Sequence, residues 1–242
     1  MTTSLPTAWS RLKPLIALLT VAPLGLFAQN LLLNGDFDSG NLTDWTTFLT
    51  PNGSLGSGLP DVVSFDVAGT GTASDAAQFQ AGEIIYNQAT GHTSQGGGIE
   101  QTFDCSAGRY VISADVAALY FGGFGNGLGN ADAGLFTFLV DGNSVTNIEL
   151  GGINSDQTIR GTLDATVALG GGDHSFALEI TRPWLNDGGS YGGSPLEYVD
   201  YLSIVPVPEP IGLFILGPSA FWFVGIKARC GKKPKAISNS PH

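Results

Sequence analysis

Apolar and polar residues alternate with a period of two along most of this chain. Tyr110, Ile112, Ala114 and Val116 fall on one parity, and so do Phe176, Leu178 and Ile180. Leu135 to Val140, Ile148 to Leu150 and Val199 to Val205 repeat the pattern, each bounded by Gly, Asp or Asn. Such alternation is the signature of strands with one face buried, since successive side chains of an extended chain point to opposite faces. No window of a dozen residues between the two ends carries a helical stripe, and Gly35, Gly40, Gly53, Gly56 and Gly58 would weaken a helix there. Asp141-Gly142 between LFTFLV and NSVTNIEL predicts a tight hairpin, because both residue types accept positive φ. Eight to ten strands of this kind in one domain predict an all-β fold, a jelly-roll β-sandwich, with Trp45 in its core.

The two ends break the pattern. Arg11 and Lys13 precede the apolar stretch Leu15 to Phe27, and Ala28 follows, which gives the basic, apolar and small-residue regions of a secretory signal peptide over residues 1–28. That stretch is too short to span about 30 Å of hydrocarbon. At the other end Val207-Pro208-Glu209-Pro210 leads into the uncharged run Ile211 to Ile226, then into Lys227, Arg229, Lys232, Lys233 and Lys235. Sixteen residues rise about 24 Å as a helix, and the basic tail 227–242 places that end on the cytoplasmic side. The domain between, residues 29–206, is then exported.

The ordered triple of motif 207–210, transmembrane helix 211–226 and basic tail resembles the PEP-CTERM sorting signal of Gram-negative bacteria, which an exosortase recognises. The resemblance implies signal peptidase and exosortase as processing partners, passage through the inner membrane, and delivery of the domain to the cell surface or extracellular matrix. In such species the setting is commonly exopolysaccharide and biofilm. The basic residues are spread through KARCGKKPK rather than adjacent, and the alternative to processing is a permanent single-span anchor.

Charge narrows the partners. All 21 acidic residues lie between Asp36 and Glu209, and only Arg109, Arg160 and Arg182 of the 10 basic residues do, so this stretch carries a formal −18 with no lysine. It would repel nucleic acid and anionic bilayers, whose neutralisation needs clustered Lys and Arg. Cys105 and Cys230 do not make a disulfide framework, and Cys105 reads as a small buried or turn residue. His92 and His174 belong to no metal or nucleophile motif and read as surface residues. No catalytic set is expected, although a pair of carboxylates for glycoside hydrolysis is a matter of spatial separation that a sequence does not give.

The opening NLLLNGDFDSGNLTDW (30–45) and the closing PLEYVDYLSIV (195–205) resemble the edges of the galactose-binding-like jelly roll found in many carbohydrate-binding modules. The resemblance implies a structural Ca²⁺ joining Asp38 to Asp200, with Asp36 offering oxygens in the same Gly-flanked loop; hard cations take such ligands. The other reading is that Asp36 and Asp38 are turn aspartates bonded to their own backbone. For a sugar ligand, aromatic faces stack on pyranose rings while Asn and Asp bond hydroxyls. Tyr120, Phe121 and Phe124 in a Gly-rich loop, with Trp184, Asn186, Asp187 and Tyr191 in RPWLNDGGSYGG, are the candidate binding residues. Three functions stay open: a polysaccharide-binding surface protein, a structural surface protein without a specific ligand, and a secreted glycan hydrolase.

Overall fold

A computed structural model describes residues 29–85, 93–121, 131–183 and 194–208. Fourteen strands occur among them. In chain order they are β1 (Thr46–Leu49), β2 (Gly53–Ser54), β3 (Asp61–Phe65), β4 (Ser74–Phe79), β5 (Gly82–Glu83), β6 (Gln95–Cys105), β7 (Gly108–Tyr120), β8 (Ala131–Asp132), β9 (Leu135–Val140), β10 (Asn143–Glu149), β11 (Gly152–Ile153), β12 (Gln157–Leu169), β13 (Gly172–Arg182) and β14 (Leu196–Pro206).

Two five-stranded sheets carry the fold, one in the order β1-β6-β13-β9-β10 and the other in the order β12-β7-β14-β4-β3. All pairings are antiparallel. From β6 onward the chain alternates between the sheets: β6 to β7, β7 to β9, β10 to β12, β12 to β13 and β13 to β14 each change sheet. That alternation makes the protein an all-β jelly-roll sandwich, as the period-two pattern predicts. Two-stranded ribbons β2-β5 and β8-β11 sit beside the sheets.

The parity of each strand decides its burial. Ile99, Phe103, Phe136, Phe138, Phe176, Leu178 and Ile180 of the first sheet meet Phe79, Tyr110, Ile112, Ala114, Val116, Val199 and Ile204 of the second in one core. Fully burying such side chains stabilises by about 1.5–3 kcal/mol each before chain entropy is subtracted. Trp45 lies in this core as expected, tilted against Phe37 and edge-on to Phe176, and its indole N–H donates to the Asn34 carbonyl at 3.0 Å. The hairpin between β9 and β10 turns on Asp141 (φ 52°) and Gly142 (φ 73°), the geometry that the Asp-Gly pair predicts.

The opening segment is built into the sandwich edge. The Leu31 amide donates to the Ile204 carbonyl at 2.9 Å, and the Leu202 amide to the Gly35 carbonyl at 2.8 Å. Asn30 adds two bonds to the same stretch, through its side-chain amide to Leu202 and from the Ile204 amide. A Cβ on Gly35 would lie 2.1 Å from the Leu202 carbonyl oxygen, so only glycine permits this approach. Residues 30–35 are therefore a seam with β14.

Candidate functional site

The strand registers place the ends of several strands together. Gln95 of β6 faces Arg182 of β13, Tyr120 of β7 faces Gln157 of β12, Leu119 faces Leu196 of β14, and Phe79 of β4 faces Glu197. The chain thus leaves and re-enters one end of the sandwich around residues 86–92, 122–130 and 184–193, three segments that lie outside the described residues. Rigid strand ends with long intervening segments are the usual place for binding groups.

Two ionisable side chains lie inside this end. The inward parity of Phe176, Leu178 and Ile180 continues to Arg182, and that of Val199 continues to Glu197; Arg182 is 1% exposed and Glu197 fully buried. They come from opposite sheets, with Arg182 Nε 4.0 Å from Glu197 Oε1. Arg182 Nε donates to the Ala81 carbonyl at 2.8 Å, one guanidinium N–H to the Asp132 carbonyl at 3.4 Å, and another to Ser194 Oγ at 2.8 Å. The Ala81 amide in turn donates to Glu197 Oε2 at 2.8 Å. Gln80 donates to the Ser194 carbonyl at 3.3 Å.

Burial pushes the Glu197 carboxyl up to about 8, against the opposing pull of Arg182 and the Ala81 amide. Burial also lowers the Arg182 guanidinium, while Glu197, Asp132 and Tyr120 hold it charged. Glu197 Oε1 accepts no hydrogen bond among the described residues, so the desolvation cost is only partly met. Around this interior pair the outside is apolar in places: Leu49, Ile84, Ile85 and Phe121 are exposed large side chains at this end.

Placement of the sequence candidates is mixed. Tyr120 is corrected: it ends β7 rather than standing in a loop, is 3% exposed, and packs with Ala118, Ala133 and Ile153. Its ring is a wall of the fold, since the ladder with β12 runs through it to Gln157. Phe121, the next residue, is 68% exposed. Phe124, Trp184, Asn186, Asp187 and Tyr191 lie outside the described residues, as do Glu209 and Pro210, His92 and Cys230. Val207 remains tied to the sandwich, its amide donating to the Arg109 carbonyl at 2.8 Å, and Pro208 is exposed.

Among the described residues no group of three or more His, Cys, Asp or Glu is placed to hold a metal ion. The three aspartates expected to bind Ca²⁺ are therefore not gathered into one such group. Asp36 Oδ1 accepts from the Asp38 amide at 3.3 Å, the turn arrangement, and both residues are exposed. Asp200 is fully buried on the outer parity of β14, where its Oδ2 accepts from Ser74 Oγ at 2.5 Å and its Oδ1 from the Tyr201 amide at 2.7 Å. Both Asp200 oxygens thus already accept a hydrogen bond within the protein. Burial raises Asp200 to about 6, with smaller contributions from the charges of Asp115 and Asp36.

At the opposite end His174 is half-buried rather than a surface residue. Its Nδ1 lies 2.8 Å from Asp141 Oδ2 and its Nε2 3.3 Å from the Gly170 carbonyl, and its ring leans on Phe103. Asp141 also accepts from the Ser175 amide at 2.9 Å, so the pair locks the β9-β10 hairpin onto β13. Cys105 is buried at the end of β6, its Sγ 3.6 Å from the Gly170 carbonyl.

No protein-family model matches the chain. No curated protein matches it either. Among solved structures, TmCBM61 in complex with beta-1,4-galactotriose aligns with 74% of this chain and 100% of its own, at 11% identity and a TM-score of 0.42. The enzymatically active domain of tailspike protein 4 of bacteriophage CBA120 aligns over 74% of this chain and 21% of its own, at 14% identity and 0.41. The CBM22-1 xylan-binding domain of Paenibacillus barcinonensis Xyn10C covers 72% and 93%, at 14% and 0.37. At such identities and TM-scores, function has to be argued from the residues of this chain.

Proposed function

We propose that this is a secreted, non-catalytic surface protein whose jelly roll binds an extracellular polysaccharide at the end marked by Arg182 and Glu197. The observation that carries this reading is the convergence of the strand ends flanking residues 86–92, 122–130 and 184–193. Residues 122–130 and 184–193, whose sequence holds the Gly-spaced Phe124, Trp184, Asn186, Asp187 and Tyr191, are flanked by strand ends at the end where Phe121, Ile84 and Ile85 are exposed. Aromatic faces with neighbouring amide and carboxylate groups on a firm base suit the alternating apolar and hydroxylated faces of a pyranose.

Sorting fits the same geometry. β14 runs from Leu196 at this end to Pro206 at the other, roughly 35 Å at 3.3 Å per residue. The segment with the exosortase-type motif therefore departs opposite the ligand end and leaves that end facing away from a membrane or matrix attachment. Signal peptidase and an exosortase are the partners that residues 1–28 and 207–242 call for.

Retention of the full chain on insoluble neutral polysaccharides is the test. Wild type is retained; Trp184→Ala with Tyr191→Ala melts at the wild-type temperature and loses retention about tenfold or more. Retention unchanged in the folded double variant would remove this end as the binding site. Turnover of the polysaccharide would replace the binding reading with a hydrolase.

A further inference from the structure

Arg182 touches more of this end of the sandwich than any sequence pattern implies. Its guanidinium reaches the Ala81 carbonyl between β4 and β5, on the chain leading to residues 86–92, the Asp132 carbonyl just after residues 122–130, and Ser194 Oγ directly after residues 184–193. Arg182 itself stands at the other root of that last segment, two residues before its first position. Three segments far apart in sequence thus share one anchor. Glu197 closes the arrangement from the second sheet by accepting from the Ala81 amide while facing Arg182.

Arginine suits this task better than lysine, because its planar fork offers five N–H donors in fixed directions whereas an ammonium is a point charge. Two facts make the arrangement specific. The residue is 1% exposed, so its charge is not there for solubility. Burying a guanidinium and a carboxyl at the end of an apolar core gives little net stability over a well-packed apolar pair, so stability alone does not account for the arrangement.

We infer that Arg182 is the positioning residue of the ligand end: one buried guanidinium fixes the chain at Ala81, Asp132 and Ser194, the described positions that frame the end where polysaccharide binds. The functional half of this inference rests on polysaccharide binding at this end. The bracing half does not.

Hydrogen exchange of the full chain, without ligand, tests the bracing directly. Three proteins are compared: wild type, Arg182→Lys, and Arg182→Met with Glu197→Gln, which removes both buried ionisable groups together, so that neither is left without the other. In the double variant, peptides covering residues 79–85, 131–135 and 194–198 exchange about tenfold faster, while those around Asp141 and Ser175 at the far end keep their wild-type protection. Lysine restores protection at one of the three places only. Wild-type protection at all three in the double variant, or equal loosening of the far end, overturns the inference. Polysaccharide retention is read on the same proteins: it falls about tenfold or more in the double variant although Trp184 and Tyr191 are intact, and unchanged retention removes Arg182 from the positioning of the ligand groups. If wild type is not retained at all, the binding reading fails, and the exchange pattern alone still decides the bracing.

Discussion

Asp200 and Glu197 are carboxyls held above their ordinary range by burial, to about 6 and about 8. The folded form of each binds its proton more tightly than the unfolded chain does. Stability is then complete below the unfolded values near 4 and is lost as pH rises through the folded ones. The protein is expected to melt at a higher temperature at pH 5 than at pH 8. Asp200→Asn, which keeps an acceptor for the Tyr201 amide and removes the charge, should raise the melting temperature at pH 7 by about 2–4 °C, as expected for a change on the order of 1 kcal/mol. A fall in melting temperature, together with a loss of stabilisation by millimolar Ca²⁺, would instead make Asp200 a cation ligand. The His174 and Asp141 pair lies at the far end. The Asp141 carboxylate holds His174 above the usual imidazole range, and the His174 ring holds Asp141 below the usual carboxylate range. Their contribution is therefore present at mildly acidic pH and is lost as His174 deprotonates. His174→Gln should flatten that part of the pH profile, which thermal melts across pH 5 to 8 will show.

Some of these residues are legible in the sequence and others are not, for one physical reason. Alternation reveals parity, and parity alone identifies Ile112 and Phe176 as core. It also holds the signal for the most informative pair: extending the parity of Ile180 by two residues reaches Arg182, and stepping back two from Val199 reaches Glu197. Treating charge as a mark of the surface stops one step short of both. Tyr120 is disguised by its glycine-rich neighbours, since nothing local shows that its partner across the ladder is Gln157. The contact between Asp141 and His174 spans 33 residues and leaves no trace in local sequence.

At the scale of elements, β6 is the instructive case. Gly96, Gly97 and Gly98 have the composition of a turn, yet they lie within an 11-residue strand between β1 and β13. A Cβ on Gly98 would stand 1.8 Å from the Leu178 carbonyl oxygen, and one on Gly97 2.2 Å from that of Phe48. The glycines are there because neighbouring backbones come too close for a side chain. Gly98→Ala should cost about 3 kcal/mol, at the upper end of overpacking, and a chemical denaturation midpoint would register it. Gly58→Ala is the control for loss of a glycine without crowding, because nothing lies within 4 Å of its missing Cβ, although its φ of 75° keeps it from being neutral. Equal losses for the two would sink the close-approach account. The Asp141-Gly142 turn is legible because the type of hairpin follows from the two turn residues themselves. The β6 glycines are not, because their constraint comes from strands about 50 residues before and 80 residues after them in the chain.

For the whole molecule, topology gathers separate strand ends at one end of the sandwich and leads β14 out at the other. It brings together the strand ends beside Ala81, Tyr120, Asp132, Arg182 and Ser194, while β14 carries the chain away to Val207. Charge then restricts the ligand. Between Asp36 and Glu209 the chain has three arginines against 21 carboxylates; Arg182 is buried and Arg160 donates to the Asp66 carbonyl. A polysaccharide rich in uronate or sulfate would meet repulsion at every approach, whereas a neutral one would not. Retention is therefore expected on neutral polymers with little dependence on salt, and on alginate only where high ionic strength screens the field. Stronger retention on alginate at low salt would contradict this.

The most direct measurement of the central claim is hydrogen-exchange footprinting of the full chain with and without a neutral polysaccharide that retains it. The account predicts that protection appears in peptides around residues 80–95, 119–133 and 181–198, with none around Asp141, Gly170 and Ser175. Protection confined to that far end, or to the outer face of either sheet, would place the ligand elsewhere and contradict it.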